Sequence, residues 1–262
     1  MSRSDRWRHI LGVIASGQEV EVDSLASDLG ASPATIRRDL NALAAQGMMV
    51  RTRGGAVSAS ISYDLPIRYK SVQNAEQKLA IAAAVARIIP PGSVVGINGG
   101  TTSTEVARAL ATETEREQTP SPHSLTIVTN AVNIANELVV RPAVKTVLTG
   151  GVARSASYEL VGALAAVTLK QIALDVAVIG VGGIDAAEGA TASHEEEAAI
   201  NRLMAERARR VIVVADSTKV GRTAFAQICR TGVINTLVTD RGADTDALLK
   251  LRRAGVEVVE VG

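Results

Sequence analysis

From residue 93 onward, short apolar runs rich in Val and Ile keep recurring: "SVVGIN", "LTIVTN", "VKTVLTGG", "DVAVIGVGG", "RVIVVADS" and "TLVTD". Between several of them the hydrophobic period changes to a helical one, over 102–111, 131–140, 159–172, 195–209 and 244–254. An Ala-rich segment, "AEQKLAIAAAVARII", supplies a further helix before the first run and stops at "PPGS". Short strands without polar alternation are strands buried on both faces. When such strands alternate with helices they pair in parallel, and the helices cover the sheet. Residues 75–262 are therefore expected to form an open, mostly parallel α/β domain. Aromatic residues make up only 2% of the chain, so its core must be built from Ala, Val, Ile and Leu.

The 262 residues suit two domains, and the first 57 have a different pattern. Residues 4–16 read as a helix, with Trp7, Ile10, Leu11 and Ile14 at helical spacing and Gly17 ending it. A second short helix opens at Val22 or Asp23, turns Leu25, Ala26 and Leu29 inward, and stops at Gly30. Ser32 can cap a third helix, with Pro33 in its first turn, where the missing N–H costs nothing. Ile36, Leu40 and Leu43 form the buried stripe of that helix. Stepping 100° per residue, Arg38 then points away from the stripe, with Ala34, Thr35 and Asn41 beside it and Arg37 on one flank. Two arginines near a helix start oppose the helix dipole, so outside negative charge should compensate them. Small and hydrogen-bonding side chains around a guanidinium suit a DNA major groove. Met48–Thr52 can form a strand, Gly54-Gly55 a turn and Ala56-Val57 a return strand, with Arg51 and Arg53 sharing one face over phosphates. The expected whole is a winged helix-turn-helix whose DNA contacts are Ser32, Ala34, Thr35, Arg37, Arg38, Asn41, Arg51 and Arg53.

The remaining segments set bounds. Residues 58–74 include Pro66, have no clear period and read as a linker; 112–124 is polar, proline-broken and expected to be a surface loop. Lys+Arg total 28 against Asp+Glu 27, so any basic footprint must come from placement. The lone Cys229 can form no internal disulfide and reads as a small core residue. Charges interrupt the N-terminal segment, and no run approaches the roughly 20 apolar residues that span a bilayer. The cytoplasm is the expected compartment, with no membrane partner.

Several strand ends carry small or polar residues, and "NGGTTSTEVARAL" is the most telling. Its glycines let backbone approach a ligand, its hydroxyls can donate, and a helix then begins with free N–H groups. That is chemistry for a phosphate or other anion, although an ordinary capped turn would read the same way. Lys219 in "ADSTKVGRTAF" and Lys78 are available countercharges. "GVGGID" supplies Gly180, Gly182 and Gly183, but Asp185 takes the last position of a dinucleotide fingerprint and no helix follows directly; no Walker A motif is present. No cofactor and no metal site is expected. "HEEE", His194–Glu197, reads as a helix start rich in favourable carboxylates, the alternative being an acid/base remnant. His9 and His123 have no visible partners in the sequence.

"VDSLASDLGASPATIRRDLNALAAQGMMVRTRGGAV" resembles the N-terminal domain of DeoR-family transcription regulators, most specifically in "S-x-x-TIRRDL-x-x-L" followed by "R-x-x-GGA". The order "EQK-x-x-IA", "GGTTST", "VTN", "LTGG", "D-x-AVIGVGGID", "ADSTK-x-GRTAF" and "LVTD" is similar to the effector domain of that family, which is related to ribose-5-phosphate isomerase and glucosamine-6-phosphate deaminase folds. The resemblance implies that Gly99, Gly100, Thr101, Thr102 and Ser103 hold a sugar phosphate, with Thr129, Asn130, Asp185 and Lys219 around the sugar. Asn98 stands where many relatives carry Asp, and Val220 where Phe is usual.

The leading expectation is a regulator, specifically a repressor of a carbohydrate operon, acting as a homo-oligomer on double-stranded operator DNA under control of a phosphorylated sugar. One rival is a sugar-phosphate isomerase or deaminase with a DNA-binding appendage, for which Asp185, His194 and Glu195 are the clustered titratable groups. Another is a DNA-binding scaffold without an effector. Turnover of sugar phosphates, against operator release by the same compounds, separates them.

Overall fold

In a computed structural model, residues 2–15, 20–45, 49–52, 54–57, 74–116 and 124–262 are described. They divide into two compact units, Met1–Gln73 and Asn74–Gly262. Gly17, Met48, Arg53, His123 and all of the 58–74 segment except Asn74 fall outside the described residues.

The first unit runs α1 (Arg3–Ala15), β1 (Val20–Glu21), α2 (Val22–Asp28), α3 (Pro33–Ala45), β2 (Val50–Arg51) and β3 (Gly55–Val57). Trp7, Ile10, Leu11 and Ile14 of α1 pack with Leu25 of α2 and with Ile36, Leu40 and Leu43 of α3, and the last three are fully buried. Each such side chain contributes roughly 1.5–3 kcal/mol relative to staying exposed. Gly30 ends α2 in the left-handed region, at φ 56°. Ser32 Oγ accepts from Thr35 N at 3.2 Å, so the α3 cap forms as its sequence implies.

The wing departs from expectation in two ways. Its turn lies between Thr52 and Gly55, where Thr52 N donates to Gly55 O and Gly55 N to Thr52 Oγ1. The return strand thus begins at Gly55, one residue early, because Gly55 pairs with Glu21 of β1. A Cβ at Gly55 would lie 1.7 Å from the carbonyl oxygen of Val20, so only glycine permits that approach. The two-residue β1, too short to show alternation, makes the hairpin a three-stranded sheet in the order β1-β3-β2.

The second unit begins with α4 (Ala75–Ile88), β4 (Val94–Ile97), α5 (Thr101–Arg116), β5 (Leu125–Thr129), α6 (Val132–Leu138) and β6 (Val144–Leu148). It continues through β7 (Val152–Ala153), β8 (Leu160–Val161), α7 (Ala163–Lys170), β9 (Leu174–Gly180), β10 (Gly183–Asp185) and β11 (Gly189–Ala192). It closes with α8 (Glu195–Glu206), β12 (Ala208–Val214), β13 (Ala226–Cys229), β14 (Thr236–Asp240), α9 (Thr245–Arg253) and β15 (Glu257–Val261). Seven strands form one parallel sheet in the order β15-β14-β12-β9-β4-β5-β6. Alternate residues serve opposite faces. Val176 and Val178 join a core with Ile81, Val106 and Ile134, while Ala177 and Ile179 join one with Leu169, Met204 and Leu251.

Two sequence expectations are corrected here. The loop expected over 112–124 begins later, because α5 continues to Arg116. Thr114 is buried and returns its hydroxyl to Leu110 O, and Glu113 and Glu115 pair with Arg116 and Arg141, so a polar stretch still completes a helix. The helix expected over 159–172 begins at Ala163, and Leu160–Val161 instead pair with Val152–Ala153 as a small ribbon. A second small sheet, β10-β11-β13, and the Val-rich edge strand β15 add to the strands expected from the sequence. Among the described residues, no helix is long and apolar enough to cross a membrane.

Candidate functional sites

On α3, Arg37, Arg38 and Asn41 are exposed, as are Ser32 and Ala34 near its start, and Thr35 is half-buried. Thr35 Oγ1 lies 2.9 Å from Ser32 Oγ. What sets the helix's rotation is Asp39, which sequence inspection passed over. It is buried, its Oδ1 accepts from Trp7 Nε1 at 2.9 Å, and its Oδ2 accepts from Arg6 Nε at 2.8 Å. Arg3 stacks 4.5 Å above the Trp7 ring and closes the cluster at 3.6 Å from Asp39. The carboxylate of "RRDL" is thus neutralised by α1. Among the described residues, Arg37 and Arg38 have no ion-pair partner. On the wing, Arg51 is half-buried and its Nη1 donates to Gly55 O, so this guanidinium also braces the hairpin.

In the second unit the chain runs outward from β4 in both directions, to β5 and β6 on one side and to β9 and beyond on the other. The ends of β4 and β9 therefore flank a topological switch point, the place where open α/β sheets bind ligands. Asn98 spans it. Its Nδ2 donates to Gly180 O at 2.9 Å, its Oδ1 accepts from Gly180 N at 2.7 Å, and Ser103 Oγ donates to the same Oδ1 at 3.1 Å. An amide can both donate and accept here, whereas an ionised carboxylate could only accept. Gly99 and Gly100 follow, the latter at φ 123°, and Thr101 opens α5.

The residues expected at the effector site divide into groups. Gly99 and Gly100 form the turn itself, and Thr101 and Thr102 begin α5, the second of them buried. Ser103 is fully buried and spends its hydroxyl on Asn98, because α5 turns it inward. Thr129 and Asn130 are fully buried too: Thr129 Oγ1 accepts from Ala131 N, and Asn130 Nδ2 donates to Glu159 Oε2 at 3.0 Å. Asp185 caps the β10–β11 turn by accepting from Ala187 N and Glu188 N. It lines a cleft of about 410 Å³ with Ser217, Thr218, Arg222, Asp244 and Lys250, to which the Gly99–Ser103 turn contributes no residue. Lys219 is half-buried in the short 3-10 turn Ser217–Lys219, whose cap is Asp216. Lys78 is buried on α4. His194 stands at the N-cap position of α8 without a cap hydrogen bond from its side chain, so "HEEE" opens a helix; its Glu196 and Glu197 both pair with Arg154.

Glu159 is the residue of this site that sequence inspection missed. It is buried beside Gly99, where a Cβ would lie 2.3 Å from its Cγ. Burial and then the nearby Glu197 push its carboxyl up to about 7, against weaker lowering by Asn130, Asn201 and Arg154. It sits in "SASYEL", where no motif or period singled it out. Burial likewise raises the Cys229 thiol to about 11, leaving it a protonated core residue. Among the described residues, no cluster of His, Cys, Asp and Glu is placed to hold a metal ion.

Comparison with known proteins agrees with both halves. Residues 6–62 match the DeoR-like helix-turn-helix domain, and residues 73–241 the DeoR C terminal sensor domain. A protein of Escherichia coli O157:H7 described as a putative aga operon transcriptional repressor is 36% identical, over 99% of this chain and 94% of its own. The glycerol-3-phosphate regulon repressor of Escherichia coli strain K12 is 32% identical, over 92% of each. Among solved structures, the ribose 5-phosphate isomerase A of Methanocaldococcus jannaschii is similar at 15% identity and a TM-score of 0.42, over 56% of this chain and 55% of that one.

Proposed function

The chain belongs to the DeoR family of DNA-binding transcription regulators, and from that premise we propose that it represses a carbohydrate-metabolism operon and is released or engaged by a phosphorylated sugar. The observation that carries this reading is the glycine turn at the switch point, clamped to β9 by Asn98 and opening α5, on a chain that also presents a groove-sized basic helix face. In the proposal Arg37, Arg38 and Asn41 read base edges, Ser32, Ala34 and Thr35 allow close approach, and Arg51 and Arg53 support the wing on the backbone. Gly99, Gly100, Thr101 and Thr102 hold the phosphate through backbone N–H groups and hydroxyls. Lys78, Thr129, Asn130, Asp185 and Lys219 act around or behind it, directly or by shaping its wall, and Ser103 acts through Asn98.

We propose no catalytic role for this constellation. Of the three groups the enzyme alternative relies on, Asp185 is committed to a hairpin turn, Glu195 is exposed at a helix start and His194 stands just before that helix, at its N-cap position. Acting on operator DNA, the protein works in the cytoplasm in this proposal. The test is a thermal-shift screen of phosphorylated sugars, followed by gel shifts with every compound that raises stability. Operator release or capture by a stabilising compound supports the reading. Turnover of that compound would replace it with the isomerase alternative.

A further inference from the structure

A buried carboxyl group lies against the turn that is to receive an anion. A Cβ at Gly99 would be 2.7 Å from Glu159 Oε1, and Glu159 is only 4% exposed. The groups facing it are Glu197 and Asn201 from α8, Arg154 from the segment between β7 and β8, and Asn130 after β5. Arg154 is the cation of this set, and it is already shared between Glu197 at 3.1 Å and Glu196 at 2.8 Å. An ionised Glu159 would therefore face an incoming anion with no cation of its own, in surroundings too dry to screen the repulsion. Two buried amide oxygens in this cluster, Asn130 Oδ1 and Asn201 Oδ1, have no hydrogen-bond donor. Rotation of either amide would turn that oxygen toward a protonated Glu159, whose O–H would satisfy it.

Resting on the effector reading above, we propose that Glu159 decides what the Gly99–Thr101 turn accepts: an anion binds together with one proton, which passes from solvent to the Glu159 carboxyl. No covalent bond to the ligand forms, and the proton returns to solvent when the anion leaves. The site is thus selective for anions under conditions where Glu159 is neutral, and its affinity follows pH. Because burial holds this carboxyl at about 7, the change falls within the ordinary range of a cell.

Sulfate is a suitable probe because it does not itself titrate near neutrality. The full-length protein, labelled with carboxyl-¹³C glutamate, is titrated with sodium sulfate between pH 5 and 9, with chloride holding ionic strength constant. The Glu159 resonance is the one lost in Glu159→Gln. Saturating sulfate is expected to move its titration to higher pH. The sulfate Kd is expected to be level well below pH 7 and to rise about tenfold per pH unit above it. Glu159→Gln should bind sulfate with an affinity independent of pH. Binding that ignores pH in the wild type, or a Glu159 resonance that stays ionised in the complex, overturns this inference alone. If neither sulfate nor any phosphorylated sugar binds, the effector reading falls and this inference with it. If Glu159→Gln fails to fold, the pH dependence of the wild-type sulfate Kd decides the matter on its own.

Discussion

Arg38 and Asp39 are neighbours in sequence and face opposite ways, one exposed and one buried under Trp7. Replacing each should separate recognition from folding. Arg38→Ala is expected to lose roughly 1–3 kcal/mol of operator affinity and relax the preference at one base position, with an unchanged melting curve. Asp39→Ala leaves Trp7 Nε1 and the Arg6 guanidinium without their acceptor. It is expected to cost roughly 1–3 kcal/mol of stability, read in urea by the fluorescence of Trp7, the chain's one tryptophan. Equal operator binding by wild type and Arg38→Ala would sink the groove-facing assignment. Glu159 makes a prediction about pH. Its folded value, about 7, lies above its ordinary 4.5, so the native state holds this proton more tightly than the unfolded chain does. The stability it confers is complete below about 4.5 and is lost as pH rises toward 7. Thermal melts of Glu159→Gln should therefore lose that decline and exceed wild type above pH 7, by an amount on the order of 1–3 kcal/mol.

At the scale of elements, the Gly99–Gly100 turn and α5 are continuous, the turn leading straight into the helix. Thr101 is half-buried at the helix start and Thr102 lies just inside it. The double variant Thr101→Ala, Thr102→Ala is expected to bind operator as wild type does and to ignore the sugar phosphate in gel shifts. An undiminished response would remove the turn from the site. How much of these elements could be read from residues alone follows from how locally each is determined. The α3 stripe of Ile36, Leu40 and Leu43, its Ser32 cap and the succession of Val-rich strands along the chain are local patterns, and they stand as read. The turn from Asn98 to Thr102 was also legible, because glycines, hydroxyls and a helix start adjoin in sequence. Glu159 was not, since it lies sixty positions along the chain from Gly99 and only the folded chain brings the two together. The two-residue strands β1, β7 and β8 were illegible for a related reason: their pairing partners, not their composition, make them strands.

For the whole molecule, a helix-turn-helix regulator reads paired half-sites through a symmetric assembly, and one module of this size buries too little DNA to reach repressor affinity alone. The protein is expected to be a homodimer or larger, joined mainly through its second unit. Sedimentation at micromolar concentration checks this, and a monomer with full operator affinity would contradict it. Control by the effector then requires that it bind one arrangement of the assembly better than another, and a coupling of roughly 1–3 kcal/mol would alter operator affinity about 5–150-fold. The Asp39 anchor has a consequence of a different kind. Rotation of α3 is fixed from behind by Trp7 and Arg6, while the solvent side carries no residue of the hydrophobic core. A duplicated copy of this gene could drift at Arg37, Arg38 and Asn41, and so acquire a new set of target genes, without passing through an unfolded ancestor.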